Sequence, residues 1–206
     1  MSITLVSFPR SGRNWLCLLL DIYNGGPVFN NRINNPSNPD KDSSNFMGTY
    51  NHDHNSNKKI SGRVIYLHRN PVDVIFSMIN SNTIYVKKDK SLKTELGRVI
   101  AWSKRLKNHE VKWYHNTPLY CTDKYIIEYE DLINYNESNL FGLIQFIWKD
   151  NIVSKLRIKV STYAITKEFV KEICREDNAI VYYSKKDKNK FITKYKDLII
   201  NIIGEN

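Results

Sequence analysis

The chain has 206 residues, 41% hydrophobic and 12% aromatic, which fits one folded domain, 1–206, with a sizeable core. Its net charge of +10 favours an anionic partner, whether nucleotide, nucleic acid, acidic polymer or anionic membrane surface, without choosing among them. The three cysteines, Cys17, Cys121 and Cys174, stand far apart, which excludes a disulfide framework and a cysteine metal site.

Residues 2–8 are rich in β-branched and aromatic side chains and read as a short buried strand. Pro9-Arg10-Ser11-Gly12-Arg13 reads as a tight turn, and residues 14–23 as a helix apolar almost all round. Cys17 falls in that helix and reads as a buried thiol. The apolar run after Trp15 is broken by Asp21 and is too short for a transmembrane segment. No secretory signal is visible, so a soluble, cytoplasmic protein is expected. Residues 24–45, dominated by Asn, Pro, Gly, Ser and Asp, read as a flexible loop. A second strand is expected at 46–50, followed by His52-Asp53-His54 and a polar loop.

Arg63–His68 is a nearly continuous apolar run of the parallel, buried type. Pro71 suits the first turn of a helix at 72–80. Leu92, Leu96, Val99, Ile100 and Leu106 keep helical spacing, giving an amphipathic helix at 92–109. A strand is expected at 124–128, an apolar helix at 140–148 and a more polar one at 166–175. The lysine-rich stretch 184–190 reads as a loop before a last amphipathic helix ending at Gly204. Alternating strands and helices indicate an α/β fold with a mostly parallel central sheet and flanking helices. In such sheets ligands gather at the carboxyl ends of the strands. Arg10, His52, Arg69 and Tyr129 all follow expected strands and fall on that edge.

Strand, Gly-containing turn and helix is an arrangement suited to phosphate, because the first helical N–H groups have no intrahelical partner. The nucleoside-triphosphate loop, Gly-x-x-x-x-Gly-Lys-Ser/Thr, is not matched: only Gly12 is present, and Arg13-Asn14 replace Lys-Ser/Thr. The stretch Phe8-Pro9-Arg10-Ser11-Gly12, followed by Trp15-Leu16, instead resembles the P-loop-like 5′-phosphosulfate loop of sulfotransferases, Pro-Lys/Arg-Ser-Gly-Thr-Thr-Trp-Leu. These enzymes use 3′-phosphoadenosine-5′-phosphosulfate (PAPS) and release 3′,5′-bisphosphoadenosine. Arg69-Asn70-Pro71-Val72-Asp73-Val74, with Ser77 eight positions after Arg69, resembles the family's 3′-phosphate segment. Tyr129-Glu130-Asp131-Leu132 resembles a third family motif, Tyr-Glu-Asp-Leu.

The resemblance spans most of residues 3–132 through these three motifs and only the outline beyond. It implies cofactor contacts from Arg10, Ser11, Gly12, Arg13 and Asn14, and a 3′-phosphate held by Arg69 and Ser77. It implies an adenine-side role for Tyr129; Trp15 would stack on adenine or serve as a core aromatic. The family's closing Arg-Lys-Gly segment is missing, and Lys185 or Lys186 could supply its charge or belong to a solvated lysine run. Arg10 stands at the position of the family's catalytic cation. His52 is the expected base, with His54 as the alternative; His68, at a strand end beside Arg69, is less suited. His52 and His54 have no third metal ligand nearby, so no metal is expected. The acceptor, whether small molecule, saccharide or peptide, is not encoded in the loops. Two rival readings are a nucleotide kinase or other phosphoryl transferase, and a non-catalytic module binding RNA or another polyanion; the resemblance implies no nucleic-acid partner.

Overall fold

A computed structural model of the chain describes residues 3–25, 28, 48–51, 62–80, 94–115, 121, 123–148 and 184–204. Four strands form one parallel sheet: β1 Ile3–Ser7, β2 Gly48–Asn51, β3 Arg63–His68 and β4 Asp123–Glu128, in the order β2-β1-β3-β4. Leu5 pairs with Tyr50 on one side and Ile65 on the other, and His68 stands opposite Glu128 at the far end. A parallel sheet sends all its chains out through one edge. The turns after β1, β3 and β4 therefore emerge together.

Helix α1, Arg13–Asn24, follows β1 after a five-residue turn at 8–12. Leu16 to Leu20 are all buried, because this helix packs with α5, Glu137–Trp148, on one sheet face. Ile3, Leu5, Ile65, Leu67 and Ile127 supply the sheet side of that core. On α1, Asp21 uses its main-chain carbonyl to accept from Gly25 and its carboxylate to accept from Val28. Buried Arg63 donates to the carbonyls of Phe146 and Ile147, closing the C-terminus of α5 with a cation, as helix electrostatics favour.

On the other face, Val6, Val64 and Tyr66 pack on Trp113, which lies in a π-helical turn, Val111–His115. That turn continues α3, Glu95–Glu110, whose start is capped by Thr94 accepting from the Gly97 N–H at 3.0 Å. A neighbouring core joins Phe8 to α2, Pro71–Asn80, to α3 and to α6, Lys185–Gly204. The short α4, Tyr129–Ile133, completes the six α-helices among the described residues. None of the described helices is long and apolar enough to cross a membrane.

Strand and helix order agree with the α/β reading, with one correction. Residues 185–190 are not a loop: Lys185 and Lys186 open α6. Ser184 caps it, accepting from the Asp187 N–H at 3.1 Å while its hydroxyl donates to the Asp187 carboxylate. Lys188 pairs with Asp73 of α2 at 2.8 Å, anchoring the polar start of the helix. Most of the expected loop at 24–45 and the expected helix at 166–175 lie outside the described residues.

The core rests on β1, which has neighbours on both sides. Leu5→Ala should lower the unfolding free energy by about 2–5 kcal/mol, the range for emptying a fully buried leucine site. Chemical denaturation measures this, and a loss below about 1 kcal/mol would contradict the close packing of this position.

Candidate functional site

The turn after β1 is held in an unusual backbone form. Arg10 has φ 70° and Gly12 has φ 94°, both left-handed. For arginine that conformation carries strain of about 1 kcal/mol or more. Ser11 donates its N–H back to the Phe8 carbonyl at 3.2 Å, and its side chain is buried. Gly12 is the N-cap of α1; its carbonyl accepts from the N–H groups of Trp15 and Leu16. No side chain caps this helix start and its first turn carries no acidic residue. The first-turn N–H groups and the dipole of α1 thus face the turn uncompensated by an anion of the described chain.

Glycine at position 12 has a second cause. A Cβ there would overlap the ring of Tyr129, which lies directly on the Gly12 backbone. That ring also meets a cation: the Arg69 guanidinium stands 4.4 Å from its centroid. Arg69 also donates through Nη1 to the Arg10 carbonyl at 2.8 Å. Its Nε, though buried, has no hydrogen-bond partner among the described residues. Arg10 in turn donates through Nε to the Ser77 hydroxyl at 3.2 Å. Five residues from three separated stretches, Arg10, Gly12, Arg69, Ser77 and Tyr129, thereby meet at the carboxyl edge of the sheet.

Local sequence explains each placement. Asn70 accepts from the N–H groups of Val72 and Asp73 and so starts α2, with Pro71 at the first helical position, where its missing N–H costs nothing. That aims α2 so that Ser77, 8% exposed, backs onto the turn. At β4, Asp131 accepts from the Glu128 N–H and from the side chains of Asn136 and Asn139. This fixes the strand-to-helix junction and therefore the Tyr129 ring. Burial raises the phenol pKa of Tyr129, partly countered by Arg69, so the ring stays neutral at physiological pH.

Other expected residues fall elsewhere. Arg13 and Asn14 lie in the first turn of α1, half-buried. Trp15 is half-buried against the core under α1, with its indole N–H unpartnered among the described residues. Lys185 and Lys186 are exposed at the start of α6 and make no contact with Arg69 or Ser77 that brings them into this cluster. His52 and His54 lie outside the described residues; in sequence His52 follows the last residue of β2.

His68 is packed, and in a way that the sequence did not signal. Its Nε2 meets Glu110 at 3.1 Å and its Nδ1 meets Glu128 at 2.5 Å. Tyr114 covers the ring, with centroids 4.9 Å apart. Burial alone would lower the imidazole pKa, but hydrogen bonds and charges from Glu110 and Glu128 prevail and raise it from 6.5 to about 9. Both nitrogens therefore donate at neutral pH, which leaves the ring unable to accept a proton from an acceptor.

Comparison of the chain with protein-family models and with curated proteins finds no match.

Gly12→Ala joins an unfavourable φ to a clash with Tyr129. It should destabilise the fold by more than about 1 kcal/mol, and adding Tyr129→Ala should recover the part owed to the clash but not the backbone strain. Melting curves of the wild type, Gly12→Ala, Tyr129→Ala and the double variant test this; an unchanged Gly12→Ala would contradict the described turn.

Proposed function

We propose that the chain is a sulfotransferase that moves a sulfuryl group from PAPS to a hydroxyl or amine of an acceptor. The observation that carries the reading is the convergence of Arg10, Gly12, Arg69, Ser77 and Tyr129. Three motifs that resemble one family's cofactor segments lie apart in sequence, yet their key residues touch. Two features fit an anionic ligand: the uncapped start of α1 and the unpartnered Nε of Arg69.

In this reading the turn 8–12 is a P-loop-like cradle for the 5′-phosphosulfate, with Ser11, Arg13 and Asn14 as further donors. Arg69 offers a planar fork to the 3′-phosphate, and the Ser77 hydroxyl, which accepts from Arg10, stands beside it as the second group of that segment. Tyr129 and Trp15 border the adenine. The acceptor oxygen or nitrogen attacks sulfur and a new bond to sulfur forms as the bond from sulfur to the bridging phosphate oxygen breaks, so charge accumulates on that oxygen and leaves with the bisphosphate. Arg10 stays charged at all working pH and stabilises that oxygen, while a base takes the acceptor proton. His52 is that base in this account, with His54 the alternative, since His68 has both nitrogens engaged. Residues 185 and 186 add charge at the rim of α6, and the cytoplasm, where PAPS is made available to soluble enzymes, is the proposed compartment.

The phosphoryl-transferase reading lacks the Lys and hydroxyl that hold a nucleoside triphosphate and its metal. The polyanion-binding reading rests on net charge and the lysine runs, and does not explain a clustered Arg10, Arg69 and Ser77.

Binding should depend on the 3′-phosphate. Arg69→Ala should weaken 3′,5′-bisphosphoadenosine binding by about 1.5–3 kcal/mol in calorimetry, the scale of a charge-assisted hydrogen bond. Equal affinity of the wild type for adenosine 5′-phosphosulfate and PAPS would sink the assignment.

Kinetics separate the remaining roles. Arg10→Ala should reduce turnover far more than cofactor affinity, because its stabilisation grows in the transition state. His52→Ala should abolish turnover with bisphosphate binding intact, and His54→Ala should be milder. Full activity in both histidine variants would remove the histidine base.

A further inference from the structure

Behind the arginine cluster, on the opposite face of the sheet, lies a second group of charges. Side chains alternate across a strand. Along β3, Val64 and Tyr66 face Trp113, and His68 continues that row; along β4, Ile126 and Glu128 do the same. The very next residues, Arg69 and Tyr129, turn to the α1 side and stack on each other over Gly12. One cross-strand pair, His68 with Glu128, is therefore bonded directly to the next, Arg69 with Tyr129, through single peptide links in both chains.

The clamp has a third member. Glu110 is the last residue of α3 and its side chain is 7% exposed. A carboxylate this buried needs a cation beside it. His68 is that cation, and it ties α3 to the ends of β3 and β4. The groups facing it are Glu110 from α3, Glu128 from β4, Tyr114 from the π-helical turn and Tyr66 from its own strand. Tyr66 is deeply buried and its phenol pKa is raised by burial and by both carboxylates, so it stays neutral. No other group in this set can supply the positive charge.

We infer that the Glu110–His68–Glu128 clamp is a positioning device whose proton holds Arg69 and Tyr129 in register over the β1–α1 turn. Its role as part of a nucleotide site rests on the proposed function; its mechanical coupling to Tyr129 does not. Loss of the proton turns one charge-assisted bond into a contact between an imidazole lone pair and a carboxylate. That repulsion pushes the two strand ends apart and carries Tyr129 off Gly12. The folded imidazole titrates at about 9, above the free value of 6.5. The clamp is accordingly closed through neutral pH and opens as pH rises through about 9.

The test is a pH titration from 7.5 to 9.5 by NMR, on the resonances of the folded protein without ligand. The readout is the nuclear Overhauser effect between the Gly12 α-protons and the Tyr129 ring, which reports distance and not charge. In the wild type it should weaken with the same midpoint as the His68 ring protons. Glu128→Gln removes one carboxylate and should shift both midpoints down together; Glu110→Gln serves if that variant does not fold. An effect that stays constant while His68 titrates would overturn the clamp. In parallel, 3′,5′-bisphosphoadenosine affinity should fall at least threefold over the range in wild type and not in His68→Gln, which carries any background from lysines. Absence of bisphosphate binding at pH 7.5 would refute the proposed function, and the Overhauser measurement would still decide the clamp.

Discussion

The ring of Tyr129 occupies the space that a side chain at position 12 would need. Much of the arrangement depends on that close approach. Gly12 permits a left-handed residue and brings β4 against the start of α1. Tyr129, once seated, carries the Arg69 guanidinium over its ring. Arg69 can then reach the Arg10 carbonyl, and Arg10 the Ser77 hydroxyl. A parallel sheet makes this possible, because it delivers the ends of β1, β3 and β4 to one edge.

The two faces of the sheet divide the electrostatic work. At the strand ends Arg10 and Arg69 bring two guanidinium groups to the turn before α1. On the α3 side, Glu110 and Glu128 enclose one imidazolium. Each pair sits one residue from the other along the same two strands. A change of charge behind the sheet is therefore felt as a change of position in front of it.

The strands and most helices were legible from composition and period. Arg63–His68 is a long apolar run with no turn former, and only a buried parallel strand accommodates it. The early turn was legible because Pro9 and Gly12 bracket it. The start of α6 was not, since four lysines outweighed the Ser184–Asp187 capping pattern that sets it. Lys188 is stabilised in the helix by Asp73, a partner 115 positions away that no local reading supplies. That Arg10, Arg69 and Tyr129 share one sheet edge followed from their places after strands, while the contacts of Arg10 with Ser77 and of Arg69 with Arg10, and the cover of Gly12 by Tyr129, did not. The Glu110–His68–Glu128 clamp was illegible because its members lie 42 and 60 positions apart and share no spacing pattern. His52 and His54 remain residues read from sequence alone.

A crystal structure of the protein with 3′,5′-bisphosphoadenosine tests the central claim most directly. The account predicts the 3′-phosphate within hydrogen-bonding distance of the Arg69 guanidinium and the Ser77 hydroxyl, and the 5′-phosphate on the N–H groups at the start of α1. A bisphosphate bound away from Arg10, Arg69 and Ser77, or none bound at saturating concentration, would contradict it.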